Sequence, residues 1–282
     1  YFPNKFYSAT AGSATTTTKH LFANNVLLST ITGNGSATSS GSSISTSTIA
    51  FDATSTSITT GFTGTITKTW THTVTGTSPI IILSADIFQD IGGTGAITLA
   101  SWNGGSFTLA STTRTGTKAT ELWYLIATTT GSKTMSVTIT GNTDAIKLAA
   151  SSFTGVSPSA PLDAVAVSGG TSGNPSASVT VQTQNAVVVT TLNRHSTTDA
   201  TTSRTSLYKD AVSTTLGASS YVLATTTGSY TDTYTGSAAQ NWSMVIASFR
   251  PATTTTSGGS TATTTVRYVL TDHLGGTNII TD

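Results

Sequence analysis

The residues most able to do chemistry are few. Asp86 and Asp90 lie close together in Ala85-Asp-Ile-Phe-Gln-Asp-Ile-Gly-Gly93, and paired carboxylates are what acid–base hydrolysis of a glycosidic bond requires. Their setting reads as a strand end entering a loop, where aspartates commonly hold turns, and the spacing of a calcium-binding EF-hand loop is absent. Glu121 is the single glutamate; it opens a strand and is expected to face solvent or to pair with Arg114 or Lys118. Among the four histidines, His72 alternates with Trp70 and Val74 and reads as a core-facing structural residue. His20 sits in a hairpin strand, and Asp272-His273 reads as a turn. No Gly-x-Ser-x-Gly elbow presents a serine nucleophile. Gly92-Gly93-Thr94-Gly95 lacks the lysine and the helix of a phosphate loop. With no cysteine, disulfides and thiolate metal ligands are excluded. The expectation is a non-enzymatic chain with no cofactor and no metal. Trp102, beside the turn residues Asn103-Gly104-Gly105, is the candidate glycan contact, because an aromatic face on a loop can stack on a sugar ring.

The elements that must position these residues are strands. Threonine is the dominant residue, β-branched and at home on a pleated, half-exposed surface. Charged residues make up 8% and hydrophobic ones 36% of the 282 residues, so a sizeable core can form without surface helices. Lys+Arg 12 against Asp+Glu 11 gives no basic surface for nucleic acid and no polybasic membrane patch. No apolar run is long enough to span a bilayer as a helix. The chain begins at Tyr1 and is read as cut from a larger precursor. An extracellular or cell-surface location is expected.

Five segments follow from composition. Residues 1–32 carry large side chains, with apolar runs on either side of Asn24-Asn25, a two-residue hairpin turn. Residues 33–48 are a Gly/Ser/Thr linker. Residues 49–251 hold ten to twelve short strands: Phe62, Ile66, Trp70, His72 and Val74 occupy alternate positions, whereas Ile80-Ile81-Ile82-Leu83 and Val187-Val188-Val189 are continuous apolar runs suited to strands buried on both faces. These predict one antiparallel, jelly-roll-like β-sandwich. Residues 252–265 form a second linker, and 266–282 a second β tail in which Val266, Tyr268 and Leu270 alternate, followed by Ile279 and Ile280.

The last segment, Tyr268-Val-Leu-Thr-Asp-His-Leu-Gly-Gly-Thr-Asn-Ile-Ile-Thr-Asp282, resembles the Tyr…Asp-His-Leu-Gly run of bacterial RHS/YD-repeat proteins. Tyr1-Phe-Pro-Asn-Lys-Phe-Tyr7 and Thr18–Ile31 are similar to the YD-repeat hairpin that precedes it. The region between resembles Thr/Ser-rich jelly-roll modules of bacterial extracellular proteins, through Trp123-Tyr-Leu, Ser152-Phe-Thr-Gly-Val156 and the Trp242–Pro251 strand. The resemblance implies an extracellular location and end segments that lie in β-sheets. Because an isolated hairpin is only marginally stable, the tails are expected to pair with a partner. The strands expected to do so carry Leu21, Phe22, Val26, Leu27, Leu28, Ile31, Val266, Tyr268, Leu270, Ile279 and Ile280. The function this predicts is a structural subunit of an extracellular bacterial filament or surface fibre, a homopolymer joined by shared terminal strands. The alternative is a carbohydrate-binding or adhesive module of a larger RHS-like surface protein, with glycans or a cell surface as partner.

Overall fold

The computed structural model describes residues 7–10, 16–23, 26–34, 43–89, 94–196, 200–212, 214–236, 238–256, 264–271 and 277–280. Asp90, Gly92-Gly93, the Asn24-Asn25 turn and Asp272-His273 lie outside them. The described chain is all-β and antiparallel, and it divides into two units: residues 46–254, and the two ends taken together.

In the end unit, β1 (Tyr7–Thr10), β2 (Thr16–Ala23) and β3 (Val26–Asn34) are followed, after the whole body, by two more strands of the same sheet. The body is entered through β4 (Ser43–Thr46). Its first half comprises β5 (Ala50–Phe62), β6 (Thr65–Val74), β7 (Ile80–Phe88), β8 (Ala96–Trp102), β9 (Gly105–Ser106), β10 (Thr108–Thr115), β11 (Lys118–Ile126), β12 (Gly131–Thr140) and β13 (Thr143–Thr154). Its second half comprises β14 (Leu162–Gly170), β15 (Ser176–Val181), β16 (Ala186–Arg194), β17 (Ala200–Thr201), β18 (Thr205–Val212), β19 (Thr215–Ala224), β20 (Gly228–Thr233), β21 (Thr235–Gly236) and β22 (Trp242–Phe249). The exit strand β23 (Thr253–Thr256) pairs with β4, and β24 (Thr264–Thr271) and β25 (Thr277–Ile280) complete the end sheet.

That end sheet runs β1-β2-β3-β24-β25. Ile31 is opposite Val266, Ser29 opposite Tyr268, and Tyr268 opposite Ile280. The two tails, expected as separate β units on separate linkers, are therefore one sheet. Part of the expected linkers is strand as well, because β3 runs to Asn34 and β4 pairs with β23.

The body has the antiparallel β-sandwich architecture expected, and has it twice: it holds two sandwiches of one topology. Number the eight main strands of each half 1 to 8. One sheet then runs 5-6-3-8-1 in both halves, as β10-β11-β7-β13-β5 and as β18-β19-β16-β22-β14. The other sheet pairs 2 with 7 and 7 with 4, as β6-β12-β8 and, through the successive strands β20 and β21, as β15-β20 and β17-β21. Each half has its own core between its two sheets. A third cluster, including Ile80, Ile82, Leu122, Phe153, Val187, Val189, Val245 and Phe249, lies where the two five-stranded sheets pack on each other. Those sheets are thus covered on both faces. This is why β7 and β16 are buried at nearly every position, with Ile81, Leu83, Ala85 and Ile87 in one cluster and Ile80 and Ile82 in another. The outer strand β6 shows the period-two pattern of a sheet with one wet face. On such wet faces cross-strand hydroxyls pair, Thr67 with Thr138 at 2.9 Å and Ser178 with Thr231 at 2.7 Å.

Register makes the duplication residue-specific. Phe153 stands opposite Ile80, and Phe249 opposite Val187, so Ser84 corresponds to Thr191, Tyr124 to Tyr221, Asp86 to Asn193 and Lys147 to Ser243. The contact between halves obeys this correspondence. The Tyr124 ring meets Phe249 edge-on at 5.7 Å, and Tyr221 meets Phe153 the same way at 5.2 Å. Ser84 and Thr191 hydroxyls meet each other at 2.6 Å. Equivalent patches therefore face one another, as in a two-fold dimer interface.

Each half is also closed by the same lock. Asp52 accepts hydrogen bonds from the Thr75 N–H (2.9 Å) and the Ser152 hydroxyl (2.7 Å). Asp163 accepts from the Gln182 N–H (2.8 Å), the Thr183 hydroxyl (2.8 Å), the Ser248 hydroxyl (3.0 Å) and the Arg250 guanidinium (3.1 Å). Burial alone would raise the Asp163 carboxyl; the hydrogen bonds and the Arg250 charge outweigh it and hold it below its ordinary value of 3.8. Its stabilisation is therefore full above pH 3.8 and is lost as the pH falls through the lower folded value. Asp163→Ala should cost about 1.5–3 kcal/mol, the usual range for hydrogen bonds to a charged group. In urea melts the gap to wild type should narrow below pH 3.8; a gap independent of pH would show that the carboxylate is not its source.

Candidate functional site

The inward positions of β7 change character along the strand, from Ile80 and Ile82 to Ser84 and then Asp86. Facing strand β16 does the same, from Val187 and Val189 to Thr191 and Asn193. One half of the interface between sandwiches is therefore apolar and the other a buried polar cluster.

Most of that cluster is satisfied. The Asn193 amide donates to the carbonyls of Ile87 and Ala119, both at 2.9 Å, and its oxygen accepts from the Thr215 hydroxyl at 2.8 Å. Thr120 and Ser243 hydroxyls meet at 2.7 Å. The exceptions surround Asp86. It is fully buried, its Oδ2 accepts from the Tyr208 hydroxyl, and its Oδ1 has no partner. On the neighbouring strand Lys147 is its direct register partner, buried to 1% exposure, with an Nζ that makes no hydrogen bond. Lys118, equally buried, lies with its Nζ 3.1 Å from the centre of the Phe88 ring, which is cation–π geometry.

Burial sets the protonation of these groups by penalising charge. It lifts Asp86 well above the carboxylate range, with Lys147 pulling the other way. It lowers Lys147 to about 8, opposed by Asp86 and Asp210. It lowers Lys118 to about 7, helped by repulsion from Lys147. The site thus holds a carboxylic acid and amines that lose their protons near neutrality, packed beside one another without water-facing surface. Gly217 makes room for them: a Cβ there would stand 2.5 Å from Asp86 Oδ2 and 2.5 Å from Lys147 Cε.

The other sequence candidates land elsewhere. Trp102 is a core residue at 2% exposure, its N–H donating to the His72 carbonyl at 3.2 Å, so its faces are covered and it offers no stacking surface. A tight turn in sequence did mark a surface loop, but the side chain preceding it points inward. Glu121 does not face solvent; it is 5% exposed and accepts from the Trp123 indole (2.8 Å) and the Ile97 N–H (3.4 Å). Asp86 is inside a central strand, not at a loop entrance. His72 is core-facing, its Nδ1 sharing a hydrogen bond with the Ser55 hydroxyl at 2.9 Å, and desolvation lowers it to about 4. The strands expected to pair with a partner are those of the end sheet.

One surface feature escaped the sequence. Phe51, 41% exposed, stacks on Tyr221 with ring centres 5.7 Å apart. Leu223, 43% exposed, lines a cavity of about 210 Å³ with Ile49, Asn185 and Thr46–Thr48. The spacing of Phe51 and Tyr221 along the chain gives no hint of this meeting, which depends on β18 packing against β5 and β13 and β19 against β7.

No family model, no curated protein and no solved structure matches this chain.

Because a Cβ at Gly217 would collide with Asp86 and Lys147, Gly217→Ala should overpack the cluster and cost about 1–3 kcal/mol in a denaturant titration. A Gly217→Ala protein as stable as wild type would show that the two side chains are not held there.

Proposed function

We propose that the chain is a non-catalytic structural subunit of an extracellular bacterial filament or surface fibre, with a duplicated body of two jelly rolls and an RHS-like end sheet as its connecting element. The observation that carries this reading is the order β1-β2-β3-β24-β25. Among the described residues both ends of the chain meet in one sheet, with β1 and β25 at its edges. An edge strand offers unpaired N–H and C=O groups to another chain. Pairing β1 of one copy with β25 of the next is a head-to-tail contact, and such a contact extends into a filament when it does not close. This replaces donation of whole tails by edge-to-edge joining of complete sheets. In the body, the strand order 5-6-3-8-1 against 2-7-4, with β9 pairing β8 before the chain crosses to the other sheet as β10, supports the jelly-roll reading.

The distribution of polar groups fits a structural role. Asp52, Asp163, Glu121 and His72 are bonded into the frame, and all four tryptophans donate their indole N–H within the body. A second reading, an adhesive or carbohydrate-binding module of a larger RHS-like surface protein, draws on the exposed Phe51–Tyr221 stack beside the Leu223 cavity. An aromatic face next to hydroxyl and amide groups suits a neutral sugar.

Placing Ser8→Pro and Ala9→Lys in β1 removes a backbone donor and adds edge charge. Electron microscopy and light scattering should show polymers for the native chain and monomers for this variant, with unchanged circular dichroism. Polymers that persist in the variant would rule out assembly through this edge. Glycan-array binding lost on Phe51→Ala by a chain that stays monomeric would favour the second reading.

A further inference from the structure

We propose that Lys147 and Asp86 are the two halves of an intramolecular amide cross-link that joins β13 covalently to β7. The inference stands apart from the polymer reading and rests on the geometry of the cluster.

Lys147 and Asp86 are direct partners on adjacent antiparallel strands, where side chains on one face have Cβ atoms about 4.5–5.5 Å apart. The lysine Cε and the acid Oδ2 converge over the one residue of β19, Gly217, that has no side chain. Neither Nζ nor Oδ1 has another partner, although buried polar atoms are nearly always hydrogen-bonded. Two orphaned groups in one dry site, a nucleophile and an electrophile, are accounted for together if they react with each other. Burial supports this by favouring the neutral amine and the neutral acid, which are the forms that condense.

The corresponding positions of the second sandwich make an internal control. Asn193 replaces Asp86 and Ser243 replaces Lys147. There the amide is fully hydrogen-bonded and the hydroxyl is paired with Thr120. The same scaffold position is satisfied without a covalent bond when its residues cannot make one, and is left unsatisfied where they can.

The step balances without any co-reactant. The Nζ lone pair of neutral Lys147 adds to Cγ of protonated Asp86, and the C=O electron pair moves onto Oδ2, where the Tyr208 hydroxyl already donates. A proton passes from nitrogen to the Oδ1 hydroxyl, the Cγ–Oδ1 bond breaks, and one water leaves as the C=Oδ2 bond re-forms. Once Nζ is brought against Cγ, reaction between two side chains of one dry site has an effective concentration of up to about 10⁵–10⁸ M, and exclusion of water from the closed site opposes the reverse hydrolysis. In a chain without cysteine, this is a covalent staple open to its residues.

Intact mass spectrometry of the denatured full chain decides. The wild type should be lighter than its sequence by one water, about 18 Da. Trypsin should fail to cut after Lys147, and the peptide containing Asp86 should be recovered joined to the one containing Lys147. Lys147→Arg and Asp86→Ala should restore the sequence mass. Asp86→Asn should lose ammonia, about 17 Da, and reach the same final mass as the cross-linked wild type. Tyr208→Phe should slow the reaction while leaving its product unchanged. Folded wild-type protein that keeps its full sequence mass after prolonged incubation, with Lys147 cut normally, overturns the proposal whatever the variants do.

Discussion

The structure of the body depends on one constraint: two five-stranded sheets pack face to face while each also carries a sandwich core on its other side. A strand buried on both faces cannot alternate, so β7, β13, β16 and β22 must be apolar or internally satisfied at nearly every position. Ile80–Leu83 and Val187–Val189 meet this demand with β-branched and aliphatic residues. Beyond them the strands switch to Ser84, Thr191, Asn193 and Asp86, and there the demand becomes one of hydrogen bonding. An unpaired buried polar group costs about 1–3 kcal/mol, so every member of that polar half needs a partner. Ser84 with Thr191, Thr120 with Ser243 and Asn193 with two carbonyls supply them. Around Asp86 and Lys147 the same accounting is left open, with Oδ1 of the acid and Nζ of the amine unpaired.

The interface also explains why duplication suits this fold. A sandwich that exposes a flat apolar five-stranded face needs a cover, and an identical copy is self-complementary if it can dock about a two-fold axis. The matched Tyr124–Phe249 and Tyr221–Phe153 contacts show that relation preserved in side-chain detail. In the polar half the two copies differ in a matched way. Where one copy has Thr120 opposite Ser243, the other has Gly217 opposite Lys147; the glycine compensates for the lysine, since any side chain there would occupy its place.

Much of the fold was legible in the sequence. Threonine content and the absence of helix-forming stretches specify strands, and the contrast between alternating β6 and continuous β7 distinguishes an outer from an inner strand. The duplication was harder to see. Its sequence trace is short, Phe51-Asp52-Ala53 against Leu162-Asp163-Ala164 and Ser152-Phe153 against Ser248-Phe249, because most positions between them need only be small, β-branched or hydroxylic. Those few residues recur because the Asp–Ser lock requires specific atoms, whereas Thr, Ser, Val and Ala can replace one another on a pleated surface. The cluster at Asp86 was misread for a different reason. An aspartate near glycines resembles a turn residue until pairing places it opposite a lysine from a strand far along the chain. Trp102 failed in the same way, since a turn motif locates the backbone at the surface but does not say which way the preceding side chain points.

The path of the chain through the end sheet adds a last step. Its five strands are consecutive in the order β1-β2-β3-β24-β25, each antiparallel to its neighbour. That is the order of a plain meander, in which β3 and β24 would ordinarily be joined by a short turn. Here the duplicated body occupies the place of that turn, and its entry and exit strands β4 and β23 are themselves paired. Insertion at a hairpin is tolerated because the two ends of the insert need only arrive side by side. The lengthened connection costs little loop-closure entropy when the insert folds compactly. The register of Ile31 with Val266 therefore does not depend on the body's length or composition. The two regions are specified differently: the end sheet by strand pairing between the chain's two ends, and the body by its three apolar layers.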